Sequence, residues 1–195
     1  MTEDSQYEKT LAQRASYDPA AFQTLYELYF DRVYRYVVNR IGHPEDAEDV
    51  VSEIFVQVIK GLPKFRNRHA PSFAAWIFTI TRNTIIDFYR RKGRTPQHVA
   101  LGDLADEWSS GFDPYRLLVE RENRSELRTL LQQLPDRRRE VVTLRYFAGL
   151  RNLEIADVMG IDERTVASHL SRGLKDLYEA YVEKLKTRES DGNAT

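Results

Sequence analysis

NLEIADVMGIDERTVASHLSRGLK, residues 152–175, is the stretch whose reading decides the fold. Asn152 is placed to cap a short helix running from Leu153 to Met159, with Ile155, Ala156 and Val158 pointing inward. Gly160-Ile161-Asp162 then interrupts it. Glycine allows the positive φ of a tight helix–helix turn, Ile161 plugs the core, and Asp162 caps the next helix. From Glu163 onward Val166, Leu170, Leu174 and Leu177 recur at helical spacing. The opposite face carries Arg164, Thr165, Ser168, His169 and Arg172. A small residue where two helices cross, a glycine turn, a buried isoleucine and a capped polar helix together form the signature of a helix-turn-helix. An ordinary helical hairpin would show the apolar spacing alone. It would not need a polar first turn suited to a major groove.

Working outward, the same logic marks helices elsewhere. Asp18-Pro19 is a start signal, since Asp caps exposed N–H groups and Pro is tolerated at the first helical position. Phe22, Leu25, Tyr26, Tyr29, Val33, Tyr36, Val37 and Ile41 form one apolar stripe before Gly42-His43-Pro44 breaks it. Ala47, Val50, Val51, Ile54 and Val58 form the next, opened by Glu45-Asp46 and ended by Gly61-Leu62-Pro63. Pro71-Ser72 opens a third, with Phe73, Trp76, Ile77, Ile80, Thr84 and Phe88 on its apolar face. Trp76 therefore reads as core rather than as a stacking platform. Periodicity lapses from Thr95 to about Pro114, which reads as a linker. It resumes with Leu117, Leu118, Leu127, Leu130, Leu131 and Leu134, and again from Arg137 to about Ala148. No period-two segment of useful length occurs. The expected fold is all-α, two small helical domains joined by a flexible linker, the C-terminal one a helix-turn-helix. The divisions fall at 1–94, a linker at 95–115, 116–187, and a disordered tail at 188–195.

Composition is ordinary for a globular chain, with 42% hydrophobic and 30% charged residues among 195. There is no cysteine, which excludes disulfides and cysteine zinc sites and fits a reducing cytoplasm. No apolar run approaches the roughly 18 residues of a membrane span, and the acidic start Met1-Thr2-Glu3-Asp4-Ser5 does not read as a signal peptide. The net charge of −1 conceals a pattern. Ile41 to Ile59 holds Glu45, Asp46, Glu48, Asp49 and Glu53 and no base. Lys60 to Arg94 holds nine bases and one acid, Asp87. Thr95 to Tyr115 is acidic again, with Asp103, Asp106, Glu107 and Asp113. Alternating blocks of this kind suggest separate surfaces with different partners rather than one solvated coat.

Two stretches resemble a known family. Asp46 to Phe55, DAEDVVSEIF, followed by Phe65 and by Phe73 to Asn83, FAAWIFTITRN, is similar to region 2 of the extracytoplasmic-function (ECF) group of bacterial RNA polymerase sigma factors. Leu134 to Tyr146, LPDRRREVVTLRY, continuing through Lys175, is similar to region 4 of the same group. The resemblance covers about Pro19 to Leu177, in the family's order. It implies a factor that directs RNA polymerase core to chosen promoters, helps to melt them, and is controlled by an anti-sigma factor. It also implies that Asp49, Ser52, Glu53 and Gln57 meet the clamp helices of the polymerase's largest subunit, with the flap a further contact. Lys64, Phe65, Arg66, Asn67, Arg68, His69, Arg82, Asn83, Arg90 and Arg91 would melt and hold the −10 element. The residue types suit that task, because cations neutralise phosphates and an aromatic or amide can trap an unstacked base. Arg137, Arg164, Thr165, Ser168, His169, Arg172 and Lys175 would read the −35 element or hold its phosphates, Arg138 and Arg139 being further phosphate candidates. The family often has Arg or Lys where His169 stands, so specificity there is expected to differ.

Two other readings remain open. A plain helix-turn-helix regulator explains residues 152–175 but leaves the N-terminal charge blocks idle. A sigma-like decoy that captures an anti-sigma factor would ordinarily carry a receiver domain, for which no βα alternation exists. An enzyme is disfavoured: His43, His69, His98 and His169 are scattered, and no phosphate-binding glycine loop or paired carboxylate in a cleft is evident. Neither a cofactor nor a metal, a catalytic residue nor membrane insertion is expected.

Overall fold

Asp18 shows how local chemistry sets the helix boundaries. In the computed structural model its carboxylate accepts the N–H groups of Ala20 and Ala21, and Pro19 takes the first helical position. The structure describes residues 3–65, 72–93 and 126–192. Arg66, Asn67, Arg68 and His69, the expected linker at 95–115 and residues 193–195 lie outside the described residues. The helices are α1 (Glu3–Arg14), α2 (Pro19–Ile41), α3 (Pro44–Gly61), a 3₁₀ turn (Leu62–Lys64) and α4 (Phe73–Arg91). They continue with α5 (126–133), α6 (Asp136–Tyr146), α7 (Asn152–Met159) and α8 (Glu163–Gly192). No strand occurs among the described residues, so the all-α expectation holds. No helix among them is long and apolar enough to cross a membrane.

The breaks are where glycine and proline place them. Gly42 ends α2 at φ 85° and Gly160 ends α7 at φ 64°, both in the left-handed region that favours glycine. Ser72 caps α4, its Oγ accepting the Ala75 N–H at 3.2 Å. The start of α7 differs from expectation. Arg151, not Asn152, is the cap residue, and its N–H donates to Glu154 Oε2 at 2.8 Å. A glutamate three residues inside the helix does the capping, while Asn152 Oδ1 is buried without a donor among the described residues.

The helices group into two compact units. One holds α1 to α4 together with Thr143–Glu163; the other holds α5, α6 as far as Val142, and α8 from Arg164. In the first, Leu25, Tyr29, Val33, Tyr36 and Ile41 of α2 interlock with Val50, Ile54 and Val58 of α3 and with Phe73, Ile77, Phe78 and Ile85 of α4. Tyr29 meets Phe73, and Tyr36 meets Phe78, edge to face at 5.1 and 5.7 Å. The α1 helix was not foreseen, because Leu11, Ala12 and Ala15 make too short a stripe to announce it, yet all three are buried. Trp76 lies against the end of α3, where a Cβ at Gly61 would come within 2.8 Å of its ring. Gly61 thus serves packing as well as helix termination.

In the second unit Leu130, Leu131, Leu134, Val141, Val142 and Val166 are buried. Here α8 departs from its expected apolar face. Leu174 is 39% exposed, and the neighbouring Gly173 is buried instead, since a Cβ there would stand 2.9 Å from Val142 Cγ2. Close approach of α6 and α8 requires glycine at that turn. The α8 helix also runs on to Gly192, through part of the segment expected as a disordered tail. Once a helix is nucleated each further residue adds a hydrogen bond. Pairs such as Lys175–Glu179 and Lys186–Glu183 along one side support it.

Candidate nucleic-acid and polymerase interfaces

Packing decides which side of α3 is available. Ala47, Val50, Val51, Ile54 and Val58 face the core, which leaves Asp49, Ser52 and Gln57 exposed on the other side. Glu53 is not an unpaired acid, as its sequence neighbourhood suggested. It is half-buried, and the Arg91 guanidinium at the end of α4 grips it with both Nη groups, at 3.1 and 2.7 Å. Gln57 Nε2 reaches the same carboxylate at 3.5 Å. The Arg91 hydrogen bonds hold the Glu53 carboxyl below its ordinary range. Two turns back along α3, Asp46 accepts from Lys92 at 2.7 Å, and the Lys92 ammonium stands over the Phe88 ring. The acidic and basic blocks that look separate in the sequence are therefore knitted together at one end of this helix pair.

The expected −10 residues divide. Arg90 and Asn83 are exposed on α4, Arg82 is half-buried, and Arg90 pairs with Asp87 at 3.0 Å. Lys64 is exposed in the 3₁₀ turn. Phe65 requires a correction. It is 7% exposed, edge-on to Phe73 at 5.3 Å and tilted against Trp76 at 5.0 Å. A ring in that position is core, and it offers no face to an unstacked base.

On α8 Arg164, Ser168 and Arg172 are exposed at four-residue steps, with Thr165 and His169 half-buried beside them. The His169 ring turns Nδ1 inward, where it meets no hydrogen-bond partner among the described residues. Lys175 is exposed and lies 3.6 Å from Glu179. The arginine triplet also divides. Arg137 is exposed, whereas Arg138 pairs with Asp176 of α8 at 2.5 Å and Arg139 pairs with Asp136 and donates to the Gln132 carbonyl. Arg138 thus ties α6 to α8 within the second unit, and Arg139 is buried beside Asp136 and the Gln132 carbonyl.

Sequence reasoning did not find a polar cluster in the first unit. Arg32 Nε donates to the Ala148 carbonyl at 2.8 Å, its guanidinium 4.8 Å from the centre of the Tyr29 ring. Ser72 Oγ donates to Glu154 Oε1 at 2.8 Å. Burial raises Glu8, which faces the Tyr29 hydroxyl and Arg32. These partners are 116 and 82 residues apart, so no local signal could have paired them.

The chain matches two family models, Sigma-70 region 2 over residues 25–95 and Sigma-70, region 4 over residues 124–177. It is 32% identical over 175 residues to the ECF RNA polymerase sigma factor BldN of Streptomyces coelicolor, covering 89% of this chain and 66% of BldN. It is 30% identical over 158 residues to the RNA polymerase sigma factor YlaC of Bacillus subtilis, covering 80% of this chain and 90% of YlaC. Among solved structures, the sigma factor RpoE of Bartonella quintana, in complex with the anti-sigma factor NepR, superposes with a TM-score of 0.63. That match is 20% identical and covers 81% of this chain and 94% of RpoE, a likeness of fold.

Proposed function

Because this chain belongs to the ECF group of the sigma-70 family of RNA polymerase sigma factors, we propose that it divides promoter recognition between residues 1–94 and residues 116–187, joined by the linker at 95–115. It acts in the cytoplasm as a transcription-initiation factor. It catalyses nothing itself, and the polymerase supplies the chemistry. Asp49, Ser52, Glu53 and Gln57 form the surface for the clamp helices, and the flap receives the C-terminal part. Asn83, Arg82, Arg90 and Arg91, with Lys64 and the loop Arg66 to His69, hold the opened −10 strand. Arg164, Thr165, Ser168, His169 and Arg172 read the −35 element, and Arg137 and Lys175 anchor phosphates. An anti-sigma factor controls access, as the pairing of RpoE with NepR suggests by analogy.

The observation that carries this reading is the presence of both family matches, in order, in one chain with an exposed acidic face on α3 and an open cationic face on α8. A plain helix-turn-helix regulator needs only the second. Run-off transcription with core polymerase and a library of promoter fragments separates the two. A sigma factor starts transcripts at defined positions from a subset of fragments. Binding to the same fragments without initiation would identify a plain regulator.

A further inference from the structure

An unstacked base needs an apolar contact, and the Phe65 ring beside the basic loop is enclosed and cannot supply one. Of the large apolar side chains on α4, only Ile86 is exposed, at 37%, while Ile85, Phe88 and Tyr89 around it are buried. Its neighbours on the helix surface are polar. Asn83 lies three residues before it and Arg90 four residues after, both exposed, and Arg82 stands half-buried one turn back. Residues three and four apart share a face, so Asn83, Ile86 and Arg90 form one strip. Asp87 flanks the strip and pairs with Arg90 at 3.0 Å. At ~1.5 Å per residue the strip is about 10 Å long, room for two or three bases at a stacked spacing of ~3.4 Å.

A lone exposed aliphatic side chain is ordinary on a protein surface. The surroundings of Ile86 set it apart. Guanidinium groups on both sides suit phosphates, and an amide beside it suits the edge of a base, which is the complement of nucleic acid. An aliphatic group cannot read a base by hydrogen bonding. It distinguishes bases only through an apolar substituent, and the 5-methyl of thymine is the one such group on the four DNA bases. We propose that Ile86 is a specificity-determining residue of the −10 surface, packing on the 5-methyl group of a thymine in the opened strand. Asn83 meets a base edge beside it, and Arg82 and Arg90 hold the phosphates on either side. The inference rests on the reading of α4 as the −10 helix. It goes beyond that reading by assigning a base preference to a side chain that carries no polar atom.

Deoxyuridine presents the same hydrogen-bonding edge as thymidine and lacks only the methyl group. The full chain bound to core polymerase is titrated with forked promoter DNA whose opened strand carries deoxyuridine in place of thymidine, one position at a time. At one position the exchange should lower affinity about fourfold, the contribution of a single buried methyl group. Ile86→Ala should bind the thymidine and deoxyuridine forks alike at that position. Alanine is the better helix former, so this variant keeps its fold. Ile86→Val retains a branched aliphatic surface and should keep most of the discrimination. Equal binding of thymidine and deoxyuridine forks at every position would overturn the proposal. So would an Ile86→Ala variant that discriminates as the unsubstituted chain does, or selected promoters with no thymine in the opened segment. A complex with core polymerase that opens no promoter at all would instead overturn the sigma-factor reading on which the proposal depends.

Discussion

The α4 and α8 helices are both assigned to DNA, yet they are built differently. In α4, Phe73, Ala74, Ala75, Ile77, Phe78, Thr81, Thr84, Ile85, Phe88 and Tyr89 are all buried, and the terminal cations Arg91 and Lys92 are held by acids of α3. In α8, Val166 and Gly173 are the fully buried positions described, and Arg164 and Arg172 stand on an open face. A helix committed on most sides to a core can offer DNA only a narrow strip, and its charges are already positioned by partners. A helix committed on one side keeps a whole face for reading. Outside that strip, changes in the first helix should therefore act through stability, and changes in the second through sequence preference.

The largest expected effect tests that contrast on the α4 side. Phe78→Ala empties a fully buried site beside Tyr36 and should cost about 3–5 kcal/mol, read as a fall in the thermal midpoint. A loss below ~1 kcal/mol would mean that α4 is not the core helix described. Next comes the glycine that allows α6 and α8 to meet. Gly173→Leu forces side-chain atoms against Val142 and Arg138 and should cost about 1–3 kcal/mol. Unaltered stability in chemical denaturation would show that the two helices do not approach there.

On the reading face, Arg164→Ala should cost about 1–3 kcal/mol on a matched −35 element and little on a scrambled one. Arg172→Ala should weaken both DNAs alike and flatten the salt dependence. Titrations at several salt concentrations distinguish them, and equal losses on both DNAs for Arg164→Ala would remove it as a base reader. Smaller still is the ion pair between helices. Arg91 is exposed and Glu53 half-buried, so solvent screens the pair and a double-mutant cycle with alanine should return a coupling close to the error of the measurement. A value well above that would mean the pair governs the geometry of the helix ends.

Two acids give opposite dependences on pH. Glu154 has a depressed pKa, so its stabilisation is complete above the unfolded value, about 4.3, and is lost as pH falls through the lower folded value. Glu8 is raised, so its favourable contribution is present below about 4.3 and is lost as pH rises through the higher folded value. Glu8→Gln should therefore raise the melting temperature at pH 7 and change it little at pH 4, whereas Glu154→Gln should lower it at pH 7. Parallel shifts in the two variants at pH 7 would contradict this assignment.

Asp18, Pro19, Gly42, Ser72 and Gly160 state their roles in sequence, because a cap or a left-handed turn is settled within three or four residues of backbone. The apolar stripes of α2, α3 and α4 are equally legible, since period and burial coincide there. The exposed face of α8 follows from the same periodicity, as does the exposure of Asp49, Ser52 and Asn83. Phe65 was misread for a related reason. An aromatic beside a basic run looks exposed, and only the approach of Phe73 and Trp76 shows that it is enclosed.

What tertiary structure alone decided is every contact between distant charges. Arg91 finds Glu53 across 38 residues, Arg138 finds Asp176 across 38, Ser72 finds Glu154 across 82 and Arg32 finds Ala148 across 116. Hydrophobic period repeats along a helix and can be read from one chain, but an ion pair or a single hydrogen bond leaves no periodic trace. Its formation depends on helix packing bringing two side chains within about 3 Å, a condition that adjacent residues do not encode.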